Sequence, residues 1–96
     1  HKMTFMDEST LLAHALRDYM RKNVEESELG FIDSPLDAGE PYSAITSALS
    51  IAQHFSIPMP PVFVDHITAL SSWTSSERTN LERQLESLPA WWELAS

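Results

Sequence analysis

The sequence predicts an all-α fold: a compact bundle of about four main helices, with a long acidic connection between the first two. Three observations support this prediction. The 96-residue chain contains only two glycines, whereas an all-β domain needs turns about every eight to twelve residues. Its apolar residues recur at three- and four-residue steps, the period of a helical face. A hydrophobic content of 43% is too high for intrinsic disorder and fits one small domain spanning residues 1–96.

The first helix is predicted from about Glu8 to Val24. Asp7 or Ser9 can accept hydrogen bonds from its free N–H groups, and the acids at its start suit the positive end of the helix dipole. One helical face carries the apolar residues Leu12, Leu16, Tyr19, Met20 and Val24. This face is therefore expected to be buried.

Residues 25–40 follow and are predicted to be mostly connecting chain, with a short helix or turn possible between Glu25 and Leu29. Gly30, Pro35, Gly39 and Pro41 favour turns and interrupt regular secondary structure here. The apolar residues Leu29, Phe31, Ile32 and Leu36 are expected to attach this segment to the core.

The second main helix is predicted to begin near Pro41, because proline suits the first turn of a helix. It must end before Ile57, since the residue that precedes a proline is disfavoured in the α region. Its expected buried stripe consists of Tyr42, Ile45, Ala48, Leu49, Ala52 and Phe55.

A rigid IPMPP bend separates this helix from a third, predicted from about Pro61, with its apolar residues at Val62, Phe63, Val64, Ile67 and Leu70. The β-branched content leaves a strand as the alternative.

Thr74 and Glu77 have the spacing of a capping box and predict the start of a fourth helix. That helix carries Leu81, Leu85 and Leu88 and ends at Pro89.

The two ends of the chain carry separate expectations. His1 and Lys2 are interpreted as vector-derived residues before a natural start at Met3. Residues 90–96 form a last turn or a tail, in which Trp91 and Trp92 either cover the core, the favoured interpretation, or form an exposed surface. No apolar run approaches the roughly 20 residues of a membrane span, and the start lacks the order of a signal peptide. A cytoplasmic location is expected.

An enzyme is not expected. The chain has no cysteine, and therefore no disulfide, thiolate zinc site or cysteine nucleophile. It lacks a phosphate-binding glycine loop, an H-E-x-x-H motif and a G-x-S-x-G motif. Asp65 and His66 are neighbours on a predicted helix and point about 100° apart, which does not suit a catalytic pair. A metal site would require three helices to bring His14, His54 and His66 together, so no cofactor or metal is predicted.

The charge distribution points instead to a protein partner. Fourteen acidic residues against six basic ones give a net charge of −8, which repels nucleic acid and attracts basic proteins. Six acids lie between residues 24 and 41 with no lysine or arginine among them: Glu25, Glu26, Glu28, Asp33, Asp37 and Glu40. They form either a solvated loop or a docking surface for a cationic partner. A calcium loop is a third interpretation, but their spacing does not match its ligand pattern.

The second predicted helix carries a further motif, made of Gly39-Glu40, Tyr42, Ala44-Ile45, Ala48-Leu49 and Ile57-Pro58. With the helices on either side, it resembles small bacterial immunity proteins of the MafI-like and contact-dependent growth inhibition families. The resemblance implies a small acidic helical protein that binds and neutralises a cognate toxin, in many cases a nuclease with a cationic groove.

On this hypothesis the six acids steer the encounter with a basic toxin surface, and Tyr42 or a C-terminal tryptophan anchors the complex. Tyr42 is equally well interpreted as a core residue. The alternative function is another acidic protein-interaction module, such as an adaptor, a chaperone or an anti-repressor. Neither interpretation involves nucleic acid or a membrane, and neither predicts the oligomeric state.

Overall fold

A computed structural model describes residues 7–89 as five helices that pack around one core. They are α1 (Glu8–Arg21), α2 (Glu26–Asp37), α3 (Pro41–Phe55), α4 (Pro61–Ala69) and α5 (Ser75–Glu86). This part of the chain contains no strand, so the all-α prediction is confirmed and the strand alternative for the third predicted helix is wrong. The expectations for His1, Lys2, Met3, Trp91 and Trp92 concern residues outside the described range.

The prediction of a long acidic connection between the first two main helices was wrong, because α2 occupies most of that segment. Leu29 and Ile32 lie three residues apart on one face, and both are buried against the core. Leu36, one turn further, packs against the same cluster. Burial of this stripe stabilises a helix in a segment whose glycine and proline content predicts connecting chain.

Pro35 and Gly39 shape the end of α2 without preventing the helix. Pro35 lies in the last turn, so its missing N–H removes only a terminal hydrogen bond. Gly39 adopts a left-handed φ of 77° and donates from its N–H to the Leu36 carbonyl, while Glu40 N–H donates to the Pro35 carbonyl over 2.8 Å. These two bonds form a Schellman motif, which turns the chain directly into α3.

The central helix is α3, which packs against α1, α2 and α5. Pro41 occupies its first turn, as predicted. Three fully buried alanines, Ala44, Ala48 and Ala52, recur at four-residue steps and leave room for the neighbouring helices to approach. The helix ends at Phe55 and is followed by Ser56, whose φ of 54° is left-handed; the next residue, Ile57, donates its N–H to the Ala52 carbonyl.

The IPMPP bend is attached to the core at several points. Ile57 and Met59 are buried, and the hydroxyl of Tyr19 on α1 donates a hydrogen bond to the Pro58 carbonyl. Partial burial raises the pKa of the Tyr19 phenol. The bend therefore fixes the direction in which α4 leaves α3.

Side-chain contacts with backbone atoms connect α4 to α5. Trp73 is buried and donates from Nε1 to the Ile67 carbonyl over 2.9 Å. The predicted capping box is confirmed, since the Thr74 hydroxyl accepts from Glu77 N–H and the Glu77 carboxylate accepts from Thr74 N–H. Leu81 is the buried residue through which α5 meets the core.

Phe31 and Phe55, both predicted to contact the core, are instead exposed, as is Val62 on α4. Phe31 is 63% exposed, Val62 57% and Phe55 46%. Phe31 lies off the stripe formed by Leu29 and Ile32, Val62 is in the first turn of α4, and Phe55 is the last residue of α3. Periodicity identified α1, α3, α4 and α5, but it did not identify which of their apolar residues face solvent.

Candidate protein-interaction site

Three of the six predicted partner-binding acids lie at the start of α2. Glu25 is the residue that precedes the helix, and Glu26 and Glu28 are in its first turn. Carboxylates at this position are favoured by the helix dipole, which gives them a structural role that the sequence prediction of a loop did not include. The Glu25 side chain makes no capping hydrogen bond, so its carboxylate is not used by the helix backbone.

Asp33 differs from the other acids because it has a cationic partner within the fold. Arg17 on α1 donates from Nε and Nη2 to the two Asp33 carboxylate oxygens, with an Nη2–Oδ2 distance of 3.0 Å. These hydrogen bonds hold the pKa of the Asp33 carboxyl below its ordinary value and raise the pKa of Arg17. The charge that Asp33 offers to a partner is thus largely offset by Arg17.

Asp37 and Glu40 lie at the junction of α2 and α3, and both are exposed. Asp37 follows Asp33 by four residues and lies on the same edge of α2. Glu40 is the residue before α3 and makes no side-chain capping bond. Within residues 7–89, neither carboxylate forms an ion pair. The structure therefore separates these two acids from Glu25 and Glu28 by the length of α2.

Tyr42 lies in the first turn of α3 and is half-buried against the core. Its ring meets the ring of Trp73 edge to face, with centroids 4.7 Å apart and planes inclined by 82°. This contact links the start of α3 to the α4–α5 turn. It gives Tyr42 a packing role, while an additional role in partner binding stays a prediction.

A groove opens where α1 and α3 end and α2 begins. We call it the Glu28 groove, and its lining residues are Asn23, Val24, Glu25, Glu28 and Phe55. Its volume is about 300 Å³. Two carboxylates, a half-buried valine and an exposed aromatic ring therefore meet in one concave site.

Two aromatic residues at this end of the molecule are absent from the predicted binding site. Phe55 lines the Glu28 groove, and Phe31 follows Glu28 by three residues on the surface of α2. Ser27 and Ser34 are the small residues one turn before and one turn after Phe31, whose side chain is mostly exposed. A sequence signal existed for Phe31, because it lies between two residues of the buried stripe and cannot share their direction.

The three histidines singled out in the sequence lie on different helices and do not form one site. His14 is on α1 and His54 on α3, and His66 on α4 lies 3.8 Å from the Glu8 carboxylate. In the described part of the chain, no group of three or more histidine, aspartate or glutamate side chains is arranged to hold a metal ion. The Glu28 groove, by contrast, places two carboxylates, which can bind cationic groups, beside exposed apolar surface.

Comparison with protein-family models gave no match, and neither curated proteins nor solved structures gave a significant match. The family resemblance therefore stays a prediction. Of the helices between residues 7 and 89, none has the length and apolar character needed to cross a membrane.

Proposed function

We propose that this chain is a protein-binding domain for a basic partner, and that it acts as an immunity protein that neutralises a cognate bacterial toxin. The observation that carries the proposal is that Glu25 and Glu28, which form no ion pair within residues 7–89, line one groove with the exposed ring of Phe55. Glu25 and Glu28 supply negative charge, and Phe55 and Phe31 supply apolar contact area. Interfaces between proteins typically combine charged surroundings with a few aromatic anchors.

The two kinds of side chain have different tasks in such a complex. The net charge of −8 raises the rate at which a basic protein meets this surface. Aromatic rings that become buried on contact then slow dissociation, which is where most of the affinity of related complexes is determined. Inhibition follows from coverage of the toxin's cationic substrate groove and requires no chemistry from this chain.

The first experiment is co-expression with the C-terminal domain encoded by the neighbouring gene. Restored growth together with copurification is the expected result for an immunity protein. Loss of growth in the presence of this chain, with no copurification, would contradict the proposal. Binding to several unrelated proteins at micromolar strength, without protection, would indicate the adaptor alternative.

A second experiment examines electrostatic steering on the complex that copurifies. Glu25→Lys with Glu28→Lys should slow association and weaken its salt dependence, because these charges act at a distance in dilute salt. The matched control is Glu82→Lys with Glu86→Lys on α5, which changes the net charge equally at exposed positions. Equal slowing by both pairs would assign the effect to net charge and remove the start of α2 from the interface.

A further inference from the structure

The Glu28 groove has the composition of a receptor for one particular side chain. We propose that it receives an arginine side chain of the basic partner, an inference that rests on the proposed function. The occupant is thus a protein segment with an exposed arginine, and the groove determines which cationic residue of that segment is recognised.

The walls of the groove suit a guanidinium group. Glu25 is the residue before α2 and Glu28 is in its first turn, and both line the groove. A guanidinium is planar, pairs with carboxylates through parallel hydrogen bonds and stacks on aromatic faces. Phe55, 46% exposed, supplies the aromatic face, and Val24 supplies apolar surface for the aliphatic part of the side chain.

The surrounding backbone adds to the negative potential. Both α1 and α3 end at this groove, and the carbonyl groups at a helix C-terminus carry partial negative charge. The opposite partial charge at the start of α2 is offset by the acids of its own first turn. Because the last turns of α1 and α3 also carry Arg21 and His54, the carboxylates of Glu25 and Glu28 remain the main negative groups that a cation meets here.

The chain does not fill the groove with a cation of its own. Across residues 7–89, no lysine, arginine or histidine lies within ion-pair distance of Glu25 or Glu28. Arg17, which has the same chemistry as the proposed occupant, is held by Asp33 instead. The carboxylates of the groove are consequently available to a partner.

The proposal extends to the surface next to the groove. Phe31 is 63% exposed and lies one turn beyond Glu28 on α2. An apolar residue of the partner close to its arginine would meet this ring. The preferred partner segment thus carries an arginine with an apolar neighbour, rather than a run of lysines.

The test uses N-acetyl-arginine methylamide as the probe, titrated into the full chain and followed by NMR. The expected result is a set of saturable shifts confined to residues of the groove, such as Val24, Glu28 and Phe55. The isosteric but neutral N-acetyl-citrulline methylamide should give none, and the lysine analogue should bind more weakly. Equal shifts with citrulline, equal binding of lysine, or shifts spread over all acidic residues would overturn the proposal.

Variants of the groove sharpen the result. Glu28→Gln and Phe55→Leu should each weaken arginine binding by about threefold or more, the effect of removing one charge-assisted or cation–π contact. Phe55→Tyr keeps an aromatic face and should bind like the natural chain. Glu82→Gln on α5 is the matched control and should have no effect. Undiminished binding in both Glu28→Gln and Phe55→Leu would exclude the groove as the site.

The titration and the co-expression experiment fail independently. Protection against a toxin without arginine binding in the groove would leave the proposed function in place and remove this inference. Arginine binding in the groove without protection would retain the recognition site and remove the immunity function.

Discussion

Arg17 holds the carboxylate of Asp33 with two hydrogen bonds and thereby links α1 to α2 across 16 residues of sequence. Both side chains are partly exposed, at 28% for Arg17 and 36% for Asp33. This pair orients the stripe of α2 that packs against the core. The pair also occupies the Asp33 carboxylate, which is therefore less available to a partner than the other acids of the segment.

We expect the Arg17–Asp33 pair to contribute about 0.5–1 kcal/mol to the free energy of unfolding, because solvent screens a partly exposed pair. A double-mutant cycle with Arg17→Met and Asp33→Asn, followed by urea denaturation at pH 7, measures this coupling. The pKa of Asp33 is lowered in the folded state from its ordinary value of 3.8. The coupling is therefore present above about pH 4 and is lost as the pH falls through the lowered folded pKa. A coupling that does not weaken at all as the pH is lowered from 7 through the acid range in which the protein stays folded would contradict this account.

Truncation of two neighbouring residues of α2 should change the free energy of unfolding by very different amounts. Ile32 is fully buried, so Ile32→Ala should lower the free energy of unfolding by about 2–5 kcal/mol. Phe31 is mostly exposed, and Phe31→Ala should change it by less than about 0.5 kcal/mol. Thermal denaturation of the two variants, with circular dichroism as the signal, makes the comparison. Similar losses in both would show that Phe31 contacts the core.

The left-handed residue after α3 offers a route to higher stability. Ser56 has a φ of 54°, a conformation that costs a residue with a Cβ atom about 1 kcal/mol relative to glycine. Ser56→Gly should therefore raise the free energy of unfolding by about 0.5–1 kcal/mol, measured by chemical denaturation. Ser56→Ala retains the Cβ atom and should give no gain. In the opposite direction, Gly39→Ala should lower stability by about 1 kcal/mol.

Arg78 is expected to stabilise the connection between α4 and α5. Its guanidinium donates to the carbonyls of Thr68 and Leu70, over 2.8 Å and 3.0 Å. Arg78→Met should cost about 1–2 kcal/mol, because both carbonyls lose a charged donor. The control is Arg83→Met, since within residues 7–89 the side-chain hydrogen bond of Arg83 is a 3.5 Å contact with Asn80 on its own helix. Equal unfolding midpoints in urea for the two variants would contradict this role.

Sequence reasoning located α1, α3, α4 and α5 because their signals are local. Asp7 accepts from Thr10 N–H at the start of α1, Pro41 begins α3, and Thr74 with Glu77 begins α5. Each of these signals depends on residues within one turn. It can be interpreted without knowing what the helix packs against.

The same reasoning allowed only a short helix or turn at residues 25–29 and did not predict the full length of α2, because burial of Leu29 and Ile32, not local preference, stabilises it. Gly30 and Pro35 indicate connecting chain, and only contact with α1 and α3 outweighs that preference. The exposed position of Phe55 is equally non-local, since an apolar side chain is placed by the neighbours that the fold provides. The Glu28 groove brings together residues 23–28 and residue 55, and no pattern within either segment predicts their meeting.

The order of the helices has a consequence for how the chain reaches this structure. α1, α2 and α3 follow one another in sequence and make the most extensive helix contacts within residues 7–89, whereas the main contacts of α5, with α3 and α4, are smaller. Contacts between consecutive helices close short loops, which favours rapid folding. The first three helices can therefore form a nucleus onto which α4 and α5 dock afterwards. The Glu28 groove, made only of residues from that nucleus, would be complete before the rest of the domain.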